Sequence, residues 1–512
     1  MILFVVDVFI RRIIDPPMLG QTYFYRWCGL LLLAVWFCSC SPTKKTFHPA
    51  QKYSAAALQE DYTLFQNILE ERHPSLYWYS SKTYMDSVFD AGRKLITDSL
   101  TEQEFRKILM AVSSQIQCGH TTVEPSKSYS KYFQKNKPPI NFPLSIKTWN
   151  DTAVVVASRL KNIPINSGDL IDSLNDTPVT AIIDTMFRFV AADGNNPVAK
   201  SQRISLDFGN LYALLYSTRF IRHLSFKDST GQSHRFYFKP IAVKKDSLDV
   251  KPTSKTPKIS RKEKLKQARS FEIKAAEGYA IMELNSFSEK LQLQSFLRRS
   301  FKELHKKGIP HLILDLRLNG GGRLSNANAL LRYLTDHSYK LADSIYAITS
   351  KSAYSKYIEK DFWNKLIIKL GTQKRNGKLH YTHLEKQVFK PKKKYHFDGQ
   401  VFLLSGGFTY SASTIVLNIL KGQSNVQIVG EPSGGGAYGN TAMLIPDVTL
   451  PHSKVRFRLP LFRMVVNKNE ALKGQGVPPD VFVGPSLEAI RRREDYKMKK
   501  AIELIKNAQH VQ

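Results

Sequence analysis

Residues 311–322 read HLILDLRLNGGG, and this stretch decides the fold class. A run of apolar residues stops at Asp315 and gives way to three glycines, which is typical of a buried strand that ends in a tight turn. Apolar runs and amphipathic stretches alternate around it, predicting strands at 279–282, 311–315, 401–404 and 426–429 and helices at 291–305, 325–334 and 411–420. This alternation predicts crossover units and an α/β layered core.

A second junction of the same design reads LSGGFTYSAS at residues 404–413 and places Ser411 at the start of a helix. Glycine-rich turns and helix N-termini expose backbone N–H groups, which suit negative charge that develops during a reaction. A serine at a helix start is often only the N-cap of that helix. Taken alone, Ser411 is therefore open to both interpretations, N-cap and nucleophile.

The two junctions are followed by VGEPSGG at residues 429–435 and GVPPD at 476–480. In order and spacing, these segments resemble the tail-specific (C-terminal processing) serine peptidases over most of residues 271–483. The resemblance implies a core of the ClpP/crotonase type. It also implies that Ser411 is the nucleophile and that the oxyanion hole uses the N–H of Ala412 and of Gly320 or Gly321.

The identity of the general base separates two branches of this family. Bacterial tail-specific enzymes use a lysine about 25 residues after the serine, and this chain has Gly436 there. The chain instead resembles the tricorn-like branch, whose base is a histidine from an earlier segment. The CGHTT stretch at 118–122 fits that histidine and predicts His120 as the base, with a helix-capping role for His120 as the alternative.

The resemblance also implies a carboxylate that orients the base, shortly before the GVPPD segment. Glu470 is the nearest acid to that position, and Glu431 is the other possibility. No metal site is predicted, and no cofactor is expected.

The rest of the chain divides by composition. Residues 41–138 have helical patterning and carry His120, and residues 484–512 predict a C-terminal helix after the 271–483 core. A turn-rich segment at 163–175 makes residues 139–240 similar to a PDZ-like domain, with an ordinary β-turn-β element as the alternative. Residues 241–270 are rich in Lys and Arg and predict a solvated basic linker.

The N-terminus predicts export. A short apolar run at 30–37 precedes Cys38-Ser39-Cys40, so residues 1–40 are expected to be a signal peptide with Cys40 as the lipidated residue. An uncleaved signal anchor is the alternative, and Met18 competes with Met1 as the start. The expected location is the cell envelope, lipid-anchored to a bacterial membrane and facing the periplasm or the surface.

These observations predict an exported serine endopeptidase that acts on extended or unstructured polypeptides. With 75 Lys and Arg against 43 Asp and Glu, the chain carries a formal charge of +32, but no nucleic acid partner is expected. Two alternatives remain open from sequence: an inactive peptide-binding lipoprotein on the same scaffold, and an acyl-transferring enzyme of the crotonase type.

Overall fold

The computed structural model describes residues 47–136, 142–216, 221–238, 260–470 and 473–510. Contacts divide the chain into Met1–His48 and Pro49–Gln512, and the fold below is that of the second unit. The predicted signal segment with Cys40 lies outside the described residues. Within the described ranges, no helix is both long and apolar enough to cross a membrane.

Residues 49–136 are mainly helical. The elements are β1 Lys52–Tyr53, α1 Ala55–Arg72, α2 Lys82–Lys94, β2 Leu100–Thr101, α3 Glu102–Gln115, β3 Val123–Glu124 and α4 Lys127–Lys135. Each helix begins after a Ser or Thr whose side chain accepts a backbone N–H, which explains where these helices start. Apolar residues of α1 and α3, such as Phe65 and Phe105, belong to the same buried cluster as the layered core formed by residues 260–482. The helical region therefore packs as part of that core.

Residues 142–238 form a separate small α/β unit with its own apolar cluster. Its elements are β4 Leu144–Trp149, β5 Thr152–Ser158, β6 Leu170–Leu174, β7 Thr177–Pro178, α5 Val179–Phe189, α6 Pro197–Leu215, β8 His223–Lys227 and β9 Ser233–Tyr237. The strands pair antiparallel in the order β4-β5-β6-β8-β9, with β7 paired to β6. The PDZ-like assignment of this region stays a prediction.

The segment from residue 260 to 482 forms the layered core. Its elements are α7 Arg261–Ala268, β10 Arg269–Lys274, β11 Tyr279–Leu284, α8 Leu293–Lys307, β12 His311–Asp315, α9 Leu324–Leu334, β13 Ser344–Ala347, α10 Asp361–Gly371, β14 Gln373–Arg375, β15 Lys378–His380, α11 Thr382–Lys386, β16 Gln400–Ser405, α12 Ala412–Leu420, β17 Val426–Gly430, β18 Gly439–Ala442, β19 Asp447–Thr449, β20 Arg456–Arg458, β21 Phe462–Val465 and β22 Val481–Phe482.

A six-stranded sheet in the order β10-β11-β12-β16-β17-β22 is the centre of this core. All neighbouring strands in it run parallel except β10, which pairs antiparallel with β11. Helices α8, α9 and α12 connect consecutive parallel strands, and buried apolar side chains of these helices share one cluster with the sheet. This architecture confirms the predicted α/β fold class.

The chain ends with α13 Leu487–Arg492 and α14 Tyr496–His510. Ala501 and Ile505 of α14 pack on the sheet against Tyr279 and Phe402, so this helix covers a face of the sheet. Residues 484–512 thus contain two helices where one was predicted. The break falls at Arg493, whose φ of 55° ends α13 in a left-handed cap.

Residues 241–259 of the predicted basic linker (241–270) lie outside the described residues. Its last part is helix α7, none of whose side chains is buried. Strand β10 begins at Arg269, so the sheet starts slightly before the predicted boundary of the core.

Candidate active site

Strands β12 and β16 are neighbours in the sheet and run parallel, so the turns that follow them lie at the same edge. Two hydrogen bonds join these turns directly. The N–H of Tyr410 donates to the carbonyl of Asn319 at 3.0 Å, and the Thr409 hydroxyl donates to the carbonyl of Leu316 at 3.0 Å. The two glycine-rich junctions recognised in the sequence therefore form a single site.

Ser411 occupies the sharp turn between β16 and α12. Its backbone has φ 56° and ψ −121°, a conformation that a non-glycine residue adopts only under strain. Its side chain makes no capping hydrogen bond to α12, although it precedes that helix. The geometry therefore excludes the N-cap interpretation and places the half-buried hydroxyl on a strand-to-helix elbow, the position that nucleophilic serines occupy in α/β-hydrolases.

The glycine turn after β12 closes directly against this elbow. Gly321 has a φ of +98°, and a Cβ placed on it would lie 2.6 Å from Ser411 Cβ and 3.0 Å from the nitrogen of Ala412. Only glycine fits in this position without displacing Ser411. The turn is held in shape by Asn319, whose Oδ1 accepts the N–H of Gly321 at 3.0 Å.

The predicted oxyanion donors are Ala412, Gly320 and Gly321, and all three lie at this contact between the glycine turn and the elbow. Ala412 is the first residue of α12, where N–H groups have no acceptor within the helix, and its N–H faces the glycine turn. The N–H of Gly321 is used inside the turn, and the exposed Gly320 comes just before it. The structure brings all three predicted residues to one place, and their role as donors stays a prediction.

His120 reaches this site because the segment around it is bound to the core. Strand β3 pairs with β20, and the N–H of Arg458 donates to the carbonyl of Thr122 at 2.9 Å. The Thr121 hydroxyl accepts a hydrogen bond of 2.8 Å from Nε2 of buried His73, whose Nδ1 accepts the N–H of Ser75. The loop that carries His120 is thereby fixed against the core.

The ring of His120 packs against that of Tyr410, with the ring centroids 5.1 Å apart. Tyr410 directly precedes Ser411, so the predicted base contacts the residue next to the predicted nucleophile. Burial lowers the pKa of His120 to about 4; Arg203 and Arg458 lower it as well, and Asp193 opposes them. The imidazole is therefore neutral at physiological pH, the state in which it can accept a proton.

Of the two candidate orienting acids, Glu431 lies elsewhere in the fold. Glu431 pairs with Lys497 of α14 at 2.6 Å, and its backbone N–H donates to Ser405. Glu431 therefore fastens the C-terminal helix to the sheet. Glu470 ends a turn in which its N–H donates to the carbonyl of Asn467 at 3.3 Å, and its role as the orienting acid stays a prediction.

One carboxylate beside His120 was not predicted from the sequence. Asp193 is 2% exposed, and its Oδ1 accepts the N–H of Gly119, the residue before His120, at 3.0 Å. In the sequence it opens the stretch DGNN, which reads as an ordinary turn between two helices. Only the tertiary contact with Gly119 reveals its proximity to the site.

Gly436, the position of the lysine in the dyad enzymes, also lies here. A Cβ at this position would lie 3.7 Å from Asp193 Cβ and 2.7 Å from the carbonyl oxygen of Gly439. A longer side chain would therefore have to displace the backbone. Over the described residues, no group of three or more His, Cys, Asp or Glu side chains is arranged to hold a metal ion.

Two cavities adjoin the site. A cavity of about 310 Å³ is lined by residues 121–123, next to His120, and by Phe408, whose ring lies 3.2 Å from the Cβ position of Gly320. A larger cavity of about 960 Å³ lies between residues 156–158 of β5 and Leu318 in the turn after β12.

Comparisons with known proteins agree with this fold. Residues 278–483 match the family model described as peptidase family S41. The crystal structure of mature CPAF is similar with a TM-score of 0.60 at 13% identity, covering 88% of this chain and 98% of that chain. The structure of mature CPAF complexed with lactacystin gives 0.60 and 13%, with 88% and 99% covered. At this identity the structures show the fold, and no curated protein matches the chain.

The fold, the glycine turn against Ser411 and the family match together define a serine-type peptidase. This match covers residues 278–483, and over that core it confirms the family resemblance predicted from the sequence motifs.

Proposed function

We propose that this peptidase is an exported, lipid-anchored endopeptidase that hydrolyses peptide bonds of extended or unstructured polypeptides. The observation that carries the catalytic part is the convergence of Gly321, Ser411 and the His120–Tyr410 ring pair at one edge of the sheet. The family match over the core favours peptide hydrolysis over acyl transfer by a crotonase-type enzyme.

In the proposed reaction, Ser411 attacks the carbonyl carbon of the scissile bond while His120 accepts the serine proton. The oxyanion is stabilised by the N–H of Ala412 and by the turn of Gly320 and Gly321. His120 then donates its proton to the leaving amine, and an acyl-enzyme forms at Ser411. Water, deprotonated by the same histidine, releases the second product and restores the serine.

The surroundings of the site favour an unfolded chain as substrate. The larger cavity lies between the 142–238 unit and the core, so an extended polypeptide can lie along it towards Leu318 and the glycine turn. The smaller cavity between residues 121–123 and Phe408 suits one apolar side chain of the substrate. A folded protein would have to expose a segment before it could reach the half-buried Ser411.

The first test is labelling by a fluorophosphonate probe, which reacts only with an activated serine. We expect the probe to label Ser411, at a rate that is constant through neutral pH and falls as the pH drops through about 4. The sign follows from burial: the pKa of His120 is lowered, so the neutral, proton-accepting ring persists to acid pH. Labelling rates from pH 3.5 to 8, with circular dichroism at each pH, measure this dependence.

Absence of labelling at any pH, together with no cleavage of unfolded polypeptides, favours the alternative of an inactive peptide-binding lipoprotein. A loss of labelling centred near 6.5, the ordinary pKa of histidine, would contradict the burial of His120 in the working enzyme.

The anchor has its own test. We expect Cys40→Ala to shift the protein from the detergent phase to the aqueous phase, because the short apolar run before Cys40 is removed with the signal and lipid alone holds the mature chain. Phase partitioning and mass spectrometry of the N-terminus measure this. A Cys40→Ala protein that partitions like wild type and keeps residues 18–39 contradicts the lipoprotein proposal, and Cys38→Ala is the matched control.

A further inference from the structure

Three buried polar atoms without a hydrogen-bond partner among the described residues belong to one cluster beside Ser411. They are Nδ1 of His120, Oδ2 of Asp193 and the hydroxyl oxygen of Tyr410. Such atoms are rare in folded proteins because each loses its water without replacement. Their concentration beside a predicted nucleophile calls for a functional explanation.

The contacts around Gly119 bring these three side chains together. The N–H of Gly119 donates to Asp193 Oδ1 at 3.0 Å, and a Cβ on Gly119 would lie 1.9 Å from the Tyr410 hydroxyl. The ring of Tyr410 in turn packs on that of His120. Asp193 Oδ2, the tyrosine hydroxyl and His120 Nδ1 thus all lie around the residue that precedes the histidine.

We propose that Asp193 is the carboxylate that positions His120, which deepens the proposed function and rests on it. Oδ2 of Asp193 accepts the Nδ1–H of His120, directly or through one buried water, and Tyr410 donates its hydroxyl to the same oxygen. This arrangement fixes the tautomer that leaves Nε2 free to take the serine proton. It also places a negative charge beside the imidazolium that then forms.

The charges around His120 support this role. Arg203 on α6 and Arg458 on β20 disfavour a positive imidazole, and so does its burial; Asp193 is the group that favours it. Cys118 lies in the same loop and is also buried, and its pKa and that of Tyr410 are raised, so both are neutral. Asp193 is therefore the anion that faces the base from the packed elements named here.

The arrangement also accounts for Gly436. A side chain at that position would begin 3.7 Å from Asp193 Cβ, so the surroundings of the lysine position are occupied here by the Asp193 carboxylate. We infer that this chain has a histidine–carboxylate pair where the dyad enzymes have an amine.

The test is Asp193→Asn in the full-length protein. Asparagine still accepts the N–H of Gly119, so a purely structural role is preserved while the negative charge is lost. We expect kcat for peptide cleavage to fall on the order of 10²–10⁴-fold, as for orienting carboxylates in other Ser–His enzymes. The acid limb of Ser411 labelling should move to lower pH, because the group that raises the pKa of His120 is gone.

Asp184→Asn is the matched control, because Asp184 is an exposed acid on the neighbouring helix α5. It should keep the wild-type rate and the wild-type acid limb. Glu470→Gln is measured beside it. A shift of the acid limb in Glu470→Gln with none in Asp193→Asn would assign the role to Glu470 and overturn the inference.

The outcomes separate the two proposals. Wild-type protein that is never labelled at Ser411 contradicts the proposed function itself. Active wild type with an Asp193→Asn variant of equal rate and equal pH profile leaves the peptidase intact and refutes the role of Asp193. Should Asp193→Asn not fold, Tyr410→Phe replaces it, since that variant keeps the ring on His120 and removes the hydroxyl; several-fold slower labelling supports the inference, and an unchanged rate contradicts it.

Discussion

Ser411→Ala and His120→Ala are each expected to abolish nearly all peptide cleavage, and the double variant should lose little more than either alone. In the proposed mechanism the two side chains act as one unit, so removing the nucleophile or the base stops the same step. In another serine peptidase such losses reach about 10⁶-fold in kcat. Cleavage of an unfolded polypeptide, followed by mass spectrometry of the products, measures the effect.

Ser413→Ala is the matched control for this experiment. Ser413 is the second serine of the same turn, and its buried hydroxyl makes no hydrogen bond among the described residues, so its loss should leave cleavage unchanged. If His120→Ala cleaves as fast as wild type, another group is the base. If the double variant loses far more than either single variant, Ser411 and His120 do not share one step.

Gly321→Ala is expected to reduce cleavage by at least the ~10²–10³-fold that is typical of losing an oxyanion donor. The added methyl group would lie 2.6 Å from Ser411 Cβ and 2.8 Å from the carbonyl oxygen of Tyr410, so either the elbow or the glycine turn must move. The φ of +98° adds backbone strain for alanine. Cleavage rate and Ser411 labelling should fall together, because both need the nucleophile in place.

The matched control is Gly422→Ala at the end of α12. Gly422 has a similar φ of +83°, but a Cβ there meets no atom within 4 Å. It imposes the backbone strain without the contact, so stability should fall slightly and cleavage should persist. Equal losses of cleavage in the two variants would mean that strain, not the approach to Ser411, explains the effect.

The core could be predicted from sequence because its signals are local. Strands such as β12 and β16 are short apolar runs that stop at glycine or small residues, and the helices between them repeat apolar residues at helical spacing. Ser411 and the glycine turn follow these strands closely, so predicting the strands also predicted where these two features lie in the fold.

The parts of the site that depend on tertiary contacts have no such local signal, so they could not be predicted from the sequence in the same way. Asp193 lies in a loop of the 142–238 unit and meets Gly119 only because the helical region and that unit pack around the same turn. Glu470 was chosen by its distance along the chain from GVPPD, and its role stays a prediction. His120 was found from a short motif, whereas the pairing of β3 with β20 that fixes its loop has no local signal.

The pairing of β3 with β20 has a consequence for when the site can form during synthesis of the chain. A ribosome makes His120 about 300 residues before Ser411, and β20, which anchors the histidine loop, is made later still. A nascent chain that already contains the proposed base has neither the proposed nucleophile nor the strand that fixes the loop of His120. Under the proposed mechanism, proteolytic activity therefore cannot arise before β20 has been made.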